Sequence, residues 1–123
     1  MSLRAAMFGL MLIVPTGLAA QQAQEVAIGT GAVLRGLDKI NGTSVDLTLA
    51  AGETGVLGSL EVTLHECRYP LGDAAADAFA FIDVRAPNAD APIFEGWMIA
   101  SSPALNAMQH PRYDVWVLRC RTE

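Results

Sequence analysis

The sequence predicts an all-β fold: a small antiparallel sandwich or partly open barrel of about six strands, with one short helix between the last two strands. Two observations support this fold class. Short apolar segments recur along the chain, and clusters of glycine, proline, asparagine and aspartate separate them. An Asn-Gly pair also lies between two segments of strand-like composition, which is the strongest short-range signal for a hairpin.

Residues 1–20 have the three parts of a secretory signal peptide. A basic start precedes an uncharged apolar run over residues 5–14, and small residues then lead into a polar stretch. We expect cleavage after Ala19 or Ala20 and export to the periplasm. The alternative is an uncleaved membrane anchor, but the run is shorter than the roughly 20 apolar residues of a spanning helix and Pro15 interrupts it. We therefore expect no integral membrane segment in the mature chain.

Residues 21–31 are small, polar and punctuated by glycine, and we expect a flexible lead-in to a single β domain over residues 32–123. The chain has 13 acidic residues against 8 lysines and arginines, and its formal net charge is −5. This charge balance repels phosphate backbones and disfavours nucleic acid as a partner.

The Asn-Gly pair predicts a hairpin between residues 33–40 and 43–49. A two-residue turn would place Asp38 opposite Val45, on a face that is otherwise apolar. Two interpretations of Asp38 follow. Gly36 seats a β-bulge that turns Asp38 outward, which we favour because glycine inside a strand often marks a bulge. Otherwise Asp38 is buried against a specific partner and becomes a candidate binding residue.

A third strand is expected from Thr54, with a kink at Gly58 and a clean alternation of apolar and polar residues over residues 60–64. Cys67 then falls on the polar side of this alternation. Either the strand ends before Cys67, or a bulge near His65 turns the cysteine side chain back inward.

Three more strands are expected, over residues 78–85, 93–100 and 113–120. The first of them is apolar on both parities and is interpreted as an interior strand. In the last strand, alternation separates two valines from a second apolar set on the other face, namely Trp116, Leu118 and Cys120.

Residues 101–109 predict the short helix. Ser102 is a good N-cap, Pro103 suits the first helical position, and Ala, Leu and Met are strong helix formers. Leu105 and Met108 are spaced to share its buried face.

The two cysteines predict one disulfide, Cys67–Cys120, because an exported chain passes through an oxidising compartment. The bond would hold the last strand against the third and would stabilise the fold by about 4 kcal/mol on the chain-entropy model. The two cysteines and two histidines lack the short paired spacings of a zinc site, so we expect no metal and no cofactor.

A catalytic interpretation rests on Ser101 or Ser102, His110 and Asp114, which are the residue types of a nucleophile, a base and an orienting acid. Each has a local structural explanation: Ser102 caps the helix, His110 ends it and Asp114 precedes a strand. The G-x-S-x-G motif that would expose the serine is absent. An acid–base pair that includes Asp38 is a weaker candidate still.

Aromatic residues provide a binding interpretation. Trp97, Tyr113 and Trp116 would line a groove for a sugar or an extended peptide. Core packing around the short helix is the interpretation that we favour for all three, and an exposed Trp97 would change that preference. His65 lies on the polar side of its strand, and we assign it no role.

A long motif, F-x-G-W-M-x-A-S-S-P-A-L and then H-P-x-Y-D-V-W-V-x-x-C, ends at Cys120. With Leu37-Asp38-Lys39-Ile40, Cys67 and Ala78-Phe79, the chain resembles the domain-of-unknown-function family 2155, short exported proteins of Gram-negative bacteria. The resemblance covers residues 32–120, and one departure is Ile99, where phenylalanine is usual. It implies an exported single-domain protein and no established activity, cofactor or catalytic residue.

These observations favour a non-enzymatic periplasmic module that binds or helps to assemble a partner, which we expect to be a protein or another component of the cell envelope. Two alternatives remain. One is a small serine hydrolase that uses Ser101 or Ser102 with His110, and the other is a glycan-binding module built on Trp97 or Trp116.

Overall fold

A computed structural model describes residues 9–13 and 25–123. The expected signal peptide lies mostly outside these residues, so its cleavage stays a prediction. Residues 9–13, from its apolar run, form neither helix nor strand. Within the described ranges, no helix has the length and apolar character needed to cross a membrane.

The described chain forms eight strands in two antiparallel sheets. The strands are β1 (Val26–Ile28), β2 (Gly31–Asp38), β3 (Thr43–Ala50), β4 (Thr54–Leu57), β5 (Leu60–Pro70), β6 (Phe79–Arg85), β7 (Phe94–Ile99) and β8 (Tyr113–Arg121). One sheet has five strands in the order β1-β5-β6-β7, with β4 also paired to β5, and the other has the order β3-β2-β8. The sheets do not close into a barrel, and the predicted all-β class is confirmed.

The core lies between the two sheets. Both inner faces are built of aliphatic side chains that strand alternation points inward. The largest fully buried side chains are Leu34, Leu64, Ile82, Val62, Val84, Val115 and Val117.

The hairpin of β2 and β3 differs from the expected register. Asp38 rather than Ile40 pairs with Thr43, because residues 39–42 all belong to the turn. The Asp38 carboxylate accepts the N–H of Ile40 at 3.0 Å, and the Asp38 carbonyl accepts the N–H of Gly42 at 2.8 Å, which stabilises this wider turn. The shift is even, so the residues that remain in the strands lie on the faces that a two-residue turn would give them, whereas Ile40 lies in the turn and is exposed.

The bulge expected at Gly36 is wrong, since β2 and β3 pair without interruption through this residue. The glycine is required for another reason. A Cβ atom there would collide with the side chain of Leu57 on the opposite sheet. Asp38 lies at the end of the inner face, with its side chain 13% exposed and paired with Arg112.

Residues 54–64 form a hairpin rather than one kinked strand. Leu57 of β4 pairs with Leu60 of β5, and Gly58 and Ser59 form the turn between them. Gly58 has a φ of +59°, in the left-handed region that glycine adopts without a steric penalty. The prediction of one strand that kinks at Gly58 and continues was therefore wrong. A glycine can mark either a kink or a turn, and the sequence does not distinguish the two.

Cys67 points into the core because β5 contains a bulge at His65, one of the two predicted alternatives. The register of β5 against β6 shifts between Leu64 and Glu66, and Cys67 returns to the inner face and is fully buried. The disulfide to Cys120 is confirmed, with the two Cα atoms 5.6 Å apart, and it joins the two sheets.

A second irregularity lies in β8. The register of β8 against β2 shifts so that Leu118 is an extra residue without a partner. Strict alternation predicts Cys120 on the same face as Trp116. Because of the extra residue, Cys120 instead shares the buried face with Val117.

The segment expected to be a flexible lead-in contains β1 in its described part. Val26 pairs with Pro70 and Ile28 with Arg68, so β1 covers the end of β5 that β4 does not reach. Three residues are too few to show periodicity, and only the free edge of β5 explains why they form a strand.

The expected helix is a single 3-10 turn over Pro103–Asn106. Pro103 holds the first position as predicted, but the Ser102 side chain makes no capping hydrogen bond. Leu105 is 75% exposed, whereas Met108 is buried. The backbone is already extended at Ala107, so Met108 reaches the core from an extended segment and not from a helix face.

Candidate binding surface

The proposed nucleophile Ser101 is bound to a carboxylate and not to a histidine. Its Oγ donates to Oδ2 of Asp77 at 2.7 Å, and its backbone N–H donates to Oδ1 at 3.0 Å. These bonds fix the chain after β7 to the loop before β6, so Asp77 and Ser101 have a structural explanation.

His110 likewise stabilises local backbone. Its Nδ1 atom accepts the N–H groups of Arg112 and Tyr113, both at 3.0 Å. Asp114 accepts the N–H of Val115 at 2.9 Å. Among the described residues, no hydrogen bond joins Ser101 or Ser102 to His110, or His110 to Asp114. The structure does not bring these candidates together as a catalytic triad.

The carboxylate of Asp38 forms an ion pair with Arg112, which is distant in sequence. Nε and Nη2 of Arg112 lie 3.1 and 2.9 Å from Oδ2 of Asp38. These hydrogen bonds lower the pKa of Asp38 most; burial opposes them, and the N–H groups of Ile40 and Asn41 lower it further. An aspartate held as a carboxylate by arginine is suited to structure and not to general acid catalysis.

Tyr113 packs beside the ion pair of Asp38 and Arg112. Lys39 Nζ donates to the carbonyl of His110 at 2.6 Å, and the guanidinium of Arg112 lies 5.3 Å from the centre of the Tyr113 ring. Tyr113 is buried, and its hydroxyl fills the space beside Gly58. We therefore assign Tyr113 to the core, as the sequence favoured.

Trp116 lies on the outer face of the three-stranded sheet. It is half-buried and pairs in register with Arg35 of β2, which forms an ion pair with Asp46 of β3 at 2.8 Å. Its neighbours are thus charged side chains that already have partners.

Trp97 differs from the other aromatic candidates, because it is 36% exposed on the outer face of the five-stranded sheet. Its ring lies 5.3 Å from the Phe81 ring on β6, and the guanidinium of Arg68 lies 4.9 Å above it. Core packing was the favoured interpretation of Trp97 unless its side chain proved exposed, and this exposure favours a binding role instead.

A groove of about 360 Å³ runs beside Trp97. Its lining is predominantly apolar and consists of Val26, Arg68, Phe79, Trp97 and Ile99. Three of these residues, Arg68, Phe79 and Ile99, lie in one row across β5, β6 and β7. Ile28 continues that row on β1 and is 69% exposed. We call these residues, with Phe81, the Trp97 surface.

Most of the charged groups beside the Trp97 surface are paired with one another. Arg68 donates to both carboxylate oxygens of Glu66, at 2.8 and 3.1 Å, which lowers the pKa of Glu66. Asp83 accepts from His65 Nε2 at 2.6 Å and from Arg85 Nε at 3.3 Å. Glu95, two residues before Trp97 on the same face of β7, is exposed and forms no ion pair among the described residues, so the surface also has one unpaired carboxylate.

Sequence reasoning missed most of this surface. His65 was given no role, yet it contacts Asp83 and its ring lies 5.4 Å from that of Phe81. The sequence placed the two phenylalanines of β6 in an interior strand, and it did not indicate that both lie partly exposed on the outer face. The signal that could have found them is Trp97 on the next strand, since residues on neighbouring strands share a face.

The edge of β7 is held by the 3-10 turn. Asn106 Nδ2 donates to the carbonyl of Trp97 at 2.7 Å, and a Cβ at Gly96 would lie 2.6 Å from the same nitrogen. This contact satisfies an edge carbonyl and fixes the backbone of Trp97. Gly96 and Asn106, which lie in the long motif that ends at Cys120, thus hold the backbone of the exposed tryptophan in place.

The described residues contain no group of three or more metal-ligating side chains close enough to hold an ion. What the surface offers chemically is a rigid aromatic ring, a stacked guanidinium and aliphatic neighbours. Groups of this kind are enriched where proteins bind one another.

Fold and surface together define a small disulfide-linked all-β domain with an exposed aromatic surface. Residues 32–120 match the model of the family described as "Uncharacterized protein conserved in bacteria (DUF2155)", and the chain belongs to that family. The resemblance drawn from the motifs is confirmed.

The chain is similar to uncharacterized protein RP359 of Rickettsia prowazekii (strain Madrid E), with 31% identity over 87 residues. The match covers 68% of this chain and 56% of the relative, so the chain spans about half the length of that protein. No solved structure matches the chain.

Proposed function

We propose that this chain is a non-enzymatic binding module that is exported to the periplasm and contacts a protein of the cell envelope through the Trp97 surface. The observation that carries the proposal is the half-exposed Trp97 with Arg68 stacked above it, beside an apolar groove.

A protein is the partner that this chemistry favours. Tryptophan and arginine contribute most to binding free energy at protein interfaces, above all where apolar neighbours exclude water around them. Val26 and Ile28 supply such neighbours and are 40% and 69% exposed. The paired charges of Glu66 and Arg68 contribute a polar rim to this surface.

Export is supported by the signal-like start of the sequence and by the disulfide. A buried bond between Cys67 and Cys120 suits an oxidising compartment, and it rarely persists in a reducing cytosol. These arguments favour the periplasm as the place where the module acts.

The contacts of Ser101 and His110 argue against a serine hydrolase. Ser101 is engaged by Asp77, and Nδ1 of His110 is engaged by two backbone N–H groups. A glycan remains the second ligand class, since a sugar ring stacks on an exposed tryptophan, but Arg68 covers one side of the Trp97 ring.

The test is site-specific photocrosslinking in intact cells that express the full chain. A photoreactive phenylalanine analogue replaces Ile28, at the border of the Trp97 surface. The matched control replaces Val56, an equally exposed aliphatic residue on the outer face of the same sheet but at its far end. Crosslinked products are identified by mass spectrometry.

We expect one envelope protein to be crosslinked from position 28 and not from position 56, and Trp97→Ala to abolish the product. Equal products from both positions, or none from position 28 in folded protein, would reject the surface. Crosslinks to peptidoglycan fragments, with quenching of Trp97 fluorescence by those fragments, would replace the protein partner with a glycan.

A further inference from the structure

The arginines of the described chain divide into two groups. Four of the six pair with a carboxylate: Arg35, Arg68, Arg85 and Arg112. The other two, Arg119 and Arg121, form no ion pair within residues 25–123. This is unexpected in a chain with 13 acidic residues, where carboxylates outnumber cations.

Both of these arginines line one cavity of about 430 Å³ at the end of β8. They are two residues apart on the strand, so their side chains leave the same face, with Cα atoms about 7 Å apart. Arg119 pairs in register with Val33, and Val33 pairs with Thr48 on the next strand. The row therefore supplies a guanidinium, an apolar floor and a hydroxyl, and all three residues line the cavity.

The apolar floor distinguishes this cavity from an exposed pair of surface arginines. Val33 is only 6% exposed although it lies on the outer face of its sheet. Ala74 and Ala75, from the loop between β5 and β6, complete the lining and are too small to fill it. Arg121 is partly buried and Arg119 is exposed, so the pair combines one guanidinium partly shielded from water, where attraction for an anion is stronger, with one that is open to solvent.

We propose that Arg119 and Arg121 form a binding site for a small oxyanion, either a carboxylate or a phosphate group of a ligand. Guanidinium groups present planar pairs of N–H donors that match both oxyanions, and two neighbouring forks can hold one anion from two directions. Thr48 adds a neutral donor. The site lies on the three-stranded sheet, on a different face from the Trp97 surface, and does not depend on the proposed function.

Two carboxylates of the chain face this pair. Asp46 is next to Arg119, but its bidentate partner is Arg35, whose hydrogen bonds lower its pKa most, with a smaller contribution from the charge of Arg119. Glu123 lines the cavity without forming an ion pair with either arginine. Glu123 is thus the internal competitor of the ligand, and its neutralisation should strengthen binding.

The test is an NMR titration of the purified chain with sodium phosphate and, separately, sodium succinate, at pH 7 and constant ionic strength. Backbone amides and arginine Nε–H groups report the site. We expect saturable shifts at Arg119, Arg121 and Thr48. Glu123→Gln should lower the dissociation constant about twofold or more, since it removes a competing carboxylate.

The double variant Arg119→Gln/Arg121→Gln should weaken binding at least about tenfold, since it removes both donor pairs. Arg85→Gln, on the other sheet, is the matched control and should bind as the unchanged protein does. If the double variant does not fold, Arg121→Gln alone should still weaken binding, and its dissociation constant is then the measurement that decides.

Saturation by phosphate alone would identify a phosphate group as the ligand chemistry, and saturation by succinate alone a carboxylate. Either result, or both, supports the site. Linear shifts with both probes, shifts spread over all arginines, or unchanged binding by the variants would overturn it. None of these outcomes depends on crosslinking at the Trp97 surface.

Discussion

Arg112 places Nε and Nη2 within 3.1 and 2.9 Å of one carboxylate oxygen of Asp38, across 74 residues of sequence. The contact joins the end of β2 to the bend directly before β8. Lys39 reinforces the junction through the carbonyl of His110 at 2.6 Å. Residues that sequence analysis treated as a possible active site thus hold two parts of the fold together.

Asp38→Asn should lower the melting temperature at neutral pH, because Arg112 loses its charged partner. The folded-state pKa of Asp38 lies below its unfolded-state value. Its contribution is therefore complete above about pH 4 and is lost as the pH falls through the lower folded-state pKa. Thermal unfolding of both proteins should show a difference in melting temperature of a few degrees at pH 7, which narrows as the pH falls below about 4. A difference that stays constant from pH 7 into this acidic range would contradict the charge argument.

The strands show which features of the fold could be predicted from the sequence. Apolar alternation and turn residues were sufficient for the all-β class and for the hairpin after β2, because these depend on local pattern. The disulfide was predicted separately, from two cysteines in a chain with a signal-like start. The register of that hairpin was not predictable, since the carboxylate of Asp38 selects a longer turn than Asn-Gly alone would.

Long-range contacts explain the other differences. Gly36 is a glycine because Leu57 of the other sheet occupies its side-chain space, and β1 forms because β5 offers a free edge. The Trp97 surface needs the order of β5, β6 and β7 before its residues become neighbours. A single sequence does not contain that order in any local pattern.

Cys67→Ala with Cys120→Ala should lower the free energy of unfolding by about 4 kcal/mol under oxidising conditions, because the bond closes a loop with a sequence separation of 53. Urea unfolding with and without reductant measures this. The unchanged protein under reductant should unfold close to the variant. Equal stability of the oxidised and reduced unchanged protein would mean that the bond does not constrain the unfolded chain.

Gly58→Ala should be more destabilising than Gly42→Ala, although both glycines have positive φ angles of 59° and 70°. At Gly42 nothing lies within 4 Å of an added Cβ, so the cost is the left-handed backbone alone, about 1 kcal/mol. At Gly58 the Cβ also meets the Tyr113 hydroxyl, and we expect about 2–4 kcal/mol in total. Because that Cβ also meets the ring carbons of Tyr113, Tyr113→Leu, which removes them, should recover part of that loss in the Gly58→Ala background, as measured by chemical denaturation. Equal costs at both glycines would show that Tyr113 yields without penalty.

Ser102→Ala and His110→Ala should separate the structural and catalytic interpretations of the last motif. Ser102 makes no side-chain capping bond, so its replacement should change the free energy of unfolding by less than about 0.5 kcal/mol. His110→Ala removes the acceptor of two backbone N–H groups and should cost about 1–3 kcal/mol. In parallel, a fluorophosphonate probe should leave the unchanged protein unlabelled at Ser101 and Ser102. A serine adduct that His110→Ala prevents, in a variant that remains folded, would restore the hydrolase.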